Sequence, residues 1–172
     1  YQGYANIRSG IIFSMNIVAV RCLVETVTPQ LGVEYAKNLG ITSLTSNDLN
    51  PATALGGITD GVSNLELTAA YAAIANGGVY TEPVFFTKIL DHNGKVLLDN
   101  TPETHRALKD STAFLLTDAM ADSMRTVSSF ARAGASISST STRARLSGMS
   151  VAGKSGTTSS NNDIWFVGYT PY

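Results

Sequence analysis

Two short strings, one near each end of the chain, hold the residue types that acyl-transfer chemistry needs. Lys154-Ser155-Gly156-Thr157 lies in a stretch that reads as a strand. There Lys154 places a positive charge beside a bound carboxylate, and the hydroxyls of Ser155 and Thr157 can donate to it. Gly156 lets a substrate backbone lie close, and the Thr157 N–H can help hold a developing oxyanion. Ser14-Met15-Asn16 lies between two helical runs. A hydroxyl such as Ser14 can relay a proton, and an amide such as Asn16 can orient both a lysine amine and a substrate carbonyl. A lone Ser-x-Asn is ordinarily a cap or turn, and Lys-Ser-Gly-Thr alone is a weak signal; their occurrence together in this order is what gives them weight.

A competing pattern overlaps the second string. Gly148-Met149-Ser150-Val151-Ala152-Gly153-Lys154-Ser155 satisfies the nucleotide-binding P-loop pattern letter for letter. A P-loop needs an apolar strand before the glycines and a helix opening at the Lys-Ser step, whose N–H groups cradle phosphate. Here Thr142-Arg143-Ala144-Arg145-Leu146 precedes it and Gly156-Thr157-Thr158-Ser159-Ser160 follows, a composition that disfavours a helix. The ATPase reading is set aside on that ground.

The elements that must position these residues follow from pattern. Residues 6–27 are rich in Ile, Val and Ala without Pro, which predicts one or two mostly buried helices around Ser14-Met15-Asn16. Thr28-Pro29 reads as an N-cap with Pro at the first helical position, opening a helix that stops at Gly40 and carries Leu31, Tyr35 and Leu39 on one face. Residues 41–62 read as loop. Ser63 and Glu66 form a capping box ahead of an alanine-rich helix ended by Gly77-Gly78. Asp91-His92-Asn93-Gly94 predicts a tight hairpin turn, which makes His92 a solvent-facing turn residue. His105 falls in a polar connector, residues 101–109, and neither histidine supports a catalytic or metal role. Asp110 can cap a further helix with Leu116, Met120, Met124 and Val127 as its apolar stripe. The Ser- and Thr-rich stretch 126–142 predicts loop or disorder, with residues 128–142 poorly ordered or projecting from the body. Residues 151–172 predict two strands joined by a polar turn, with Ile164-Trp165-Phe166-Val167 on the second. The fold class is α+β, helix-rich, with a partial antiparallel sheet.

Composition excludes more than it assigns. In 172 residues, 44% hydrophobic content can build one core, and a formal charge of -1 creates no field that would draw nucleic acid. The single cysteine, Cys22, forms no internal disulfide and reads as a small buried apolar residue. No apolar run approaches the roughly 18 residues of a membrane span. The chain opens at Tyr1-Gln2-Gly3 and reads as an excised segment.

Taken together, these residues resemble the serine acyltransferases that comprise penicillin-binding proteins and serine β-lactamases, whose signature is Ser-x-x-Lys, Ser-Asp-Asn and Lys-Thr-Gly. The resemblance is to class A, bifunctional penicillin-binding proteins and spans nearly the whole chain. Ser14-Met15-Asn16 looks like the second motif. Ala54-Leu55-Gly56-Gly57-Ile58-Thr59-Asp60-Gly61-Val62-Ser63, Ala69-Ala70-Tyr71-Ala72-Ala73-Ile74-Ala75-Asn76-Gly77-Gly78 and Asp163-Ile164-Trp165-Phe166-Val167-Gly168-Tyr169-Thr170-Pro171 are similar to family segments. Ser155 stands where Thr is more usual, and Ser139-Thr140-Ser141 where the family often carries Gly-Thr-Gly. No Ser is followed three residues later by Lys, so the first motif and its nucleophile are missing.

The resemblance implies that residues 1–172 are a partial transpeptidase domain, without the first motif or the final strand and helix. The parent would be membrane-anchored at the extracytoplasmic face and would cross-link peptidoglycan stem peptides through a serine acyl-enzyme that β-lactams also acylate. In that reading Ser14 and Lys154 shuttle protons, Asn16 orients substrate, and Ser155, Gly156 and Thr157 bind it, with no metal or organic cofactor. The isolated chain is expected to be inert, since losing a nucleophile costs about a million-fold, and its exposed Trp165 strand is expected to pair with another copy. Alternatives are a D,D-carboxypeptidase or β-lactamase of the same superfamily, or a non-catalytic binding module.

Overall fold

The computed structural model describes residues 5–125, 130–132 and 135–171. Helix α1 (Ile7–Ile12) opens where the Asn6 side chain accepts from Ser9 N at 2.8 Å. Helix α2 (Asn16–Arg21) follows and runs into a π-helical turn, Cys22–Val27. The two helices touch at Gly10, where an added Cβ would stand 2.6 Å from Val18 Cγ1. Helix α3 (Pro29–Asn38) has the expected Thr28 cap and Pro, and Gly40 ends it in the left-handed region at φ 90°.

The loop that follows holds two 3-10 turns, Ser46–Asp48 and Pro51–Leu55, and the second packs against α2. Helix α4 (Asn64–Ala75) begins in the Ser63/Glu66 capping box. Glu66 also accepts from Thr42 N, Thr42 Oγ1 and Ser43 N, which ties the loop to the helix start. Strand β1 (Val79–Thr81) then pairs antiparallel with β4 (Thr104–Arg106). Between them, β2 (Lys88–Leu90) and β3 (Val96–Asp99) form the hairpin predicted from Asn93-Gly94, with Gly94 at φ 80°.

Helix α5 (Asp110–Arg125) buries Met120 and Met124 of its predicted stripe, while Leu116 is half-buried, Val127 lies outside the described residues, and Ala113 is buried as well. Strands β5 (Phe130–Arg132) and β6 (Ala135–Ile137) form a short hairpin. Strands β7 (Ala152–Thr157) and β8 (Ile164–Tyr169) pair in full register from Ala152↔Tyr169 to Thr157↔Ile164. Helix α5 packs on β7 and α4 on β8. The core where they meet consists of Ile74, Ala113, Met120, Ala121 and Ala152, bordered by Tyr71 and Tyr169. Its small residues let helix backbones come close to the sheet.

Several expectations change. The helices of residues 6–27 are not mostly buried: α2 has no buried residue, and Ile17 is 69% exposed. Their apolar faces look into an open groove, and hydrophobicity alone cannot say whether a face finds a partner. Cys22 is half-buried on that groove for the same reason. The face of α3 with Leu31 and Tyr35 is exposed, and Val33 is the buried residue.

His105 is not in a connector. It lies on β4, its Nε2 is 2.8 Å from Asn38 O, and its ring stacks beside Tyr80. Polar composition hid a two-stranded ribbon that is held by backbone pairing. The end of the Ser/Thr-rich stretch is likewise built into the body, because Ser139 and Ser141 are buried and Ser139 Oγ donates to Ser123 O. The Ser139 hydroxyl is buried with a backbone acceptor, whereas the Ser141 hydroxyl is buried with no hydrogen-bond partner among the described residues. The expectation for residues 126–129 and 133–134 lies outside the described residues.

Candidate active site

Lys154 and Ser14, 140 residues apart in sequence, are hydrogen-bonded: Lys154 Nζ donates to Ser14 Oγ at 2.8 Å. The same ammonium donates to Ser155 O at 2.7 Å, which fixes the long side chain along its own strand. Burial pushes the Lys154 ammonium below the ordinary lysine value. Desolvation disfavours the charged form, so the neutral amine that can accept a proton costs less to reach.

Ser14 occupies the turn between α1 and α2 with φ 51°, a conformation uncommon for a residue with a Cβ. Met15 N returns to Gly10 O at 2.9 Å, closing the turn that presents the Ser14 hydroxyl. Asn16 is the exposed first residue of α2. It lines, with Ser14, Phe13 and Ile17, an open groove of about 1050 Å³. Ser14 therefore belongs both to the groove and to the Lys154 contact.

Strand geometry divides the remaining residues. Thr158 N donates to Asp163 O at 3.1 Å, the rung next to the Thr157↔Ile164 pair. Hydrogen-bonded and non-bonded pairs alternate along an antiparallel ladder. Lys154 and Gly156 accordingly turn their backbone groups to β8, and Ser155 and Thr157 turn theirs to the opposite edge. Gly153 O, on that opposite edge, accepts from Ser123 Oγ at 3.4 Å, in agreement with this register. Two residues apart on the strand, Ser155 and Thr157 carry their hydroxyls on one face. Gly156 is exposed, and an added Cβ there would meet nothing within 4 Å. The Lys-Ser step lies in mid-strand, so no helix N-terminus is available to hold phosphate there.

Three supports escaped the sequence reading. Arg8 on α1 donates to Asp118 and Asp122 of α5 at 2.5 Å each, anchoring α1 to the helix under β7. Gly10 admits Val18, setting how α2 lies on α1. Asp48 is fully buried and accepts four hydrogen bonds from Thr45 and Thr59. Only Asp48 had a sequence signal, the capping box Thr45-x-x-Asp48. Among the described residues, no cluster of three or more His, Cys, Asp or Glu is placed to hold a metal, and no helix is long and apolar enough to cross a membrane.

An α+β body that joins Ser-x-Asn on a helix turn to Lys-Ser-Gly-Thr on a strand is the arrangement of penicillin-binding transpeptidases. The chain belongs to the family described as "Penicillin binding protein transpeptidase domain", which matches residues 1–172. Its relatives are of class A. Penicillin-binding protein 1A of Clostridium botulinum strain Langeland is 33% identical over 174 residues, covering 100% of this chain and 20% of that protein. Penicillin-binding protein 1A/1B of Bacillus subtilis is 34% identical over 187 residues, covering 99% and 19%. The chain thus spans about one fifth of the length of the curated relatives it matches.

Among solved structures, penicillin-binding protein 1A of Haemophilus influenzae shares the fold with a TM-score of 0.75 at 24% identity, over 95% of this chain and 28% of that one. PonA1 of Mycobacterium tuberculosis, in complex with penicillin V, gives a TM-score of 0.73 at 26% identity, over 97% and 45%.

Proposed function

We propose that residues 1–172 are the later part of the transpeptidase domain of a longer parent protein, and that the parent cross-links peptidoglycan as a serine-type D,D-transpeptidase. The observation that carries this reading is the 2.8 Å hydrogen bond between Lys154 and Ser14, made by a half-buried lysine beside an open groove. In this reading a serine elsewhere in the parent attacks the penultimate D-Ala carbonyl of a stem peptide. The carbonyl oxygen becomes an oxyanion, which the Thr157 N–H helps hold. The terminal D-Ala leaves as the amine takes a proton, and the acyl group passes to an amine of a neighbouring strand.

Ser14 accepts from Lys154 and keeps its own O–H to donate, so a proton can pass between Lys154 and the leaving amine through Ser14. Asn16, on the same groove, orients the substrate amide. Ser155 and Thr157 hold the terminal carboxylate with hydroxyls on one strand face, and Gly156 leaves the strand edge open to peptide backbone. No cofactor takes part. The parent is membrane-anchored and works on the outer side, where its substrate lies, and β-lactams acylate the same serine.

Labelling the parent with a fluorescent penicillin tests this. A Lys154→Ala parent should acylate roughly 10²–10⁴-fold more slowly, the usual contribution of a positioned proton-transfer group. Labelling at the wild-type rate would remove the functional reading.

A further inference from the structure

We infer that Asp48 is a positioning residue for the acyl-transfer site, acting through the Pro51–Leu55 turn and α2 on Asn16; this rests on the proposed function. Asp48 is 0% exposed, which for a carboxylate demands partners. One oxygen accepts from Thr45 N at 2.7 Å and Thr45 Oγ1 at 3.0 Å. The other accepts from Thr59 N at 2.7 Å and Thr59 Oγ1 at 2.8 Å. The Asp48 carbonyl also accepts from Thr53 Oγ1 at 2.5 Å, inside the turn itself.

One carboxylate therefore clasps both ends of the segment that contains Pro51–Leu55. That turn packs against α2, which also touches α1 at Gly10. α2 is only six residues long and buries none of them, so its contact with α1 at Gly10 holds Asn16 in place only together with the turn behind it. That turn supplies the second support, and Asp48 is what holds the turn. The network keeps Asp48 ionised, its carboxyl held down to about 2 chiefly by the Thr45 and Thr59 backbone N–H groups.

A double-mutant cycle in the parent separates positioning from mere stabilisation. The readout is the acylation rate constant at saturating fluorescent penicillin, taken well below the melting temperature. Asp48→Asn can accept through only one oxygen and should lower that constant roughly 10- to 100-fold, the scale of a misplacement of about 1 Å. In an Asn16→Ala background the same change should cost less than about 2-fold, because there is no amide left to misplace. Should Asp48→Asn not fold, Thr59→Val removes one hydroxyl bond and should give a smaller loss with the same background dependence. Losses that multiply across the cycle, or wild-type acylation in the Asp48 and Thr59 variants, overturn this inference alone. An Asn16→Ala parent that acylates at the wild-type rate overturns the functional reading and this inference with it.

Discussion

Replacing Ser14 by Gly and by Ala separates the strain at this residue from its chemistry. Its φ of 51° lies in the left-handed region, where a side chain bearing a Cβ costs about 1–2 kcal/mol. Both variants lose the half-buried hydrogen bond from Lys154, worth about 0.5–1.5 kcal/mol net. Ala keeps the backbone strain and should destabilise the chain by about 1 kcal/mol. Gly releases the strain, part of which is offset by the roughly 0.5–1 kcal/mol of freedom it loses on folding. Gly should therefore fold more stably than Ala by up to about 1 kcal/mol and lie near the wild type. Denaturant titration of the 172-residue chain, with unchanged slope, measures this difference. Penicillin acylation of the parent should fall to the same low level in both variants, because neither can relay a proton. An Ala variant as stable as Gly would refute the strain argument, and rapid acylation by Gly would refute the relay.

Further outcomes follow from the loops and edges. Gly77 and Gly78 both have positive φ, but a Cβ on Gly77 meets nothing within 4 Å while one on Gly78 stands 2.4 Å from Leu108 O. Gly77→Ala should cost about 1 kcal/mol and Gly78→Ala about 1–3 kcal/mol more, and equal denaturation midpoints would sink the steric account. The carboxyls of Asp48 and Glu66 are each held down to about 2, Asp48 first by Thr45 N–H and Glu66 first by Ser63 N–H. Their contribution is fully present above the ordinary carboxylate range and is lost as pH falls through about 2. Unfolding midpoints should therefore drop between pH 5 and pH 2, less so in Asp48→Asn, and a flat profile would contradict the network. β8 pairs only with β7 among the described residues, so sedimentation of the isolated chain should show self-association that a Trp165→Lys change weakens. A monomer at all concentrations would rule that edge out.

What the sequence disclosed was local. Thr28-Pro29, the Ser63/Glu66 box, the Asn93-Gly94 turn and the paired strands at the end each carry their own chemistry in adjacent residues, and the structure has them at those places. The resemblance also gave Ser14 and Lys154 a shared proton-shuttling role, and the structure brings the two side chains together. What stayed hidden depends on partners distant in sequence. Arg8 looks like any surface arginine until α5 brings Asp118 and Asp122 to it. Gly10 looks like a weak point in a helix until Val18 fills its space. The β1–β4 ribbon is too short and polar to give a periodic signal, so His105 passed for a connector residue. Hydrophobicity overstated burial in residues 6–27 because an apolar face can equally line an open groove.

The most direct test of the account is to locate the acylated serine. The isolated chain and the parent would each be incubated with penicillin, weighed intact and mapped by peptide mass. No adduct is expected on the isolated chain, and one is expected on the parent, on a peptide outside these 172 residues, where a serine is followed three residues later by lysine. A stoichiometric adduct on Ser14, or on any other serine of this chain, would contradict this, because a serine with no lysine three residues on would then be the nucleophile.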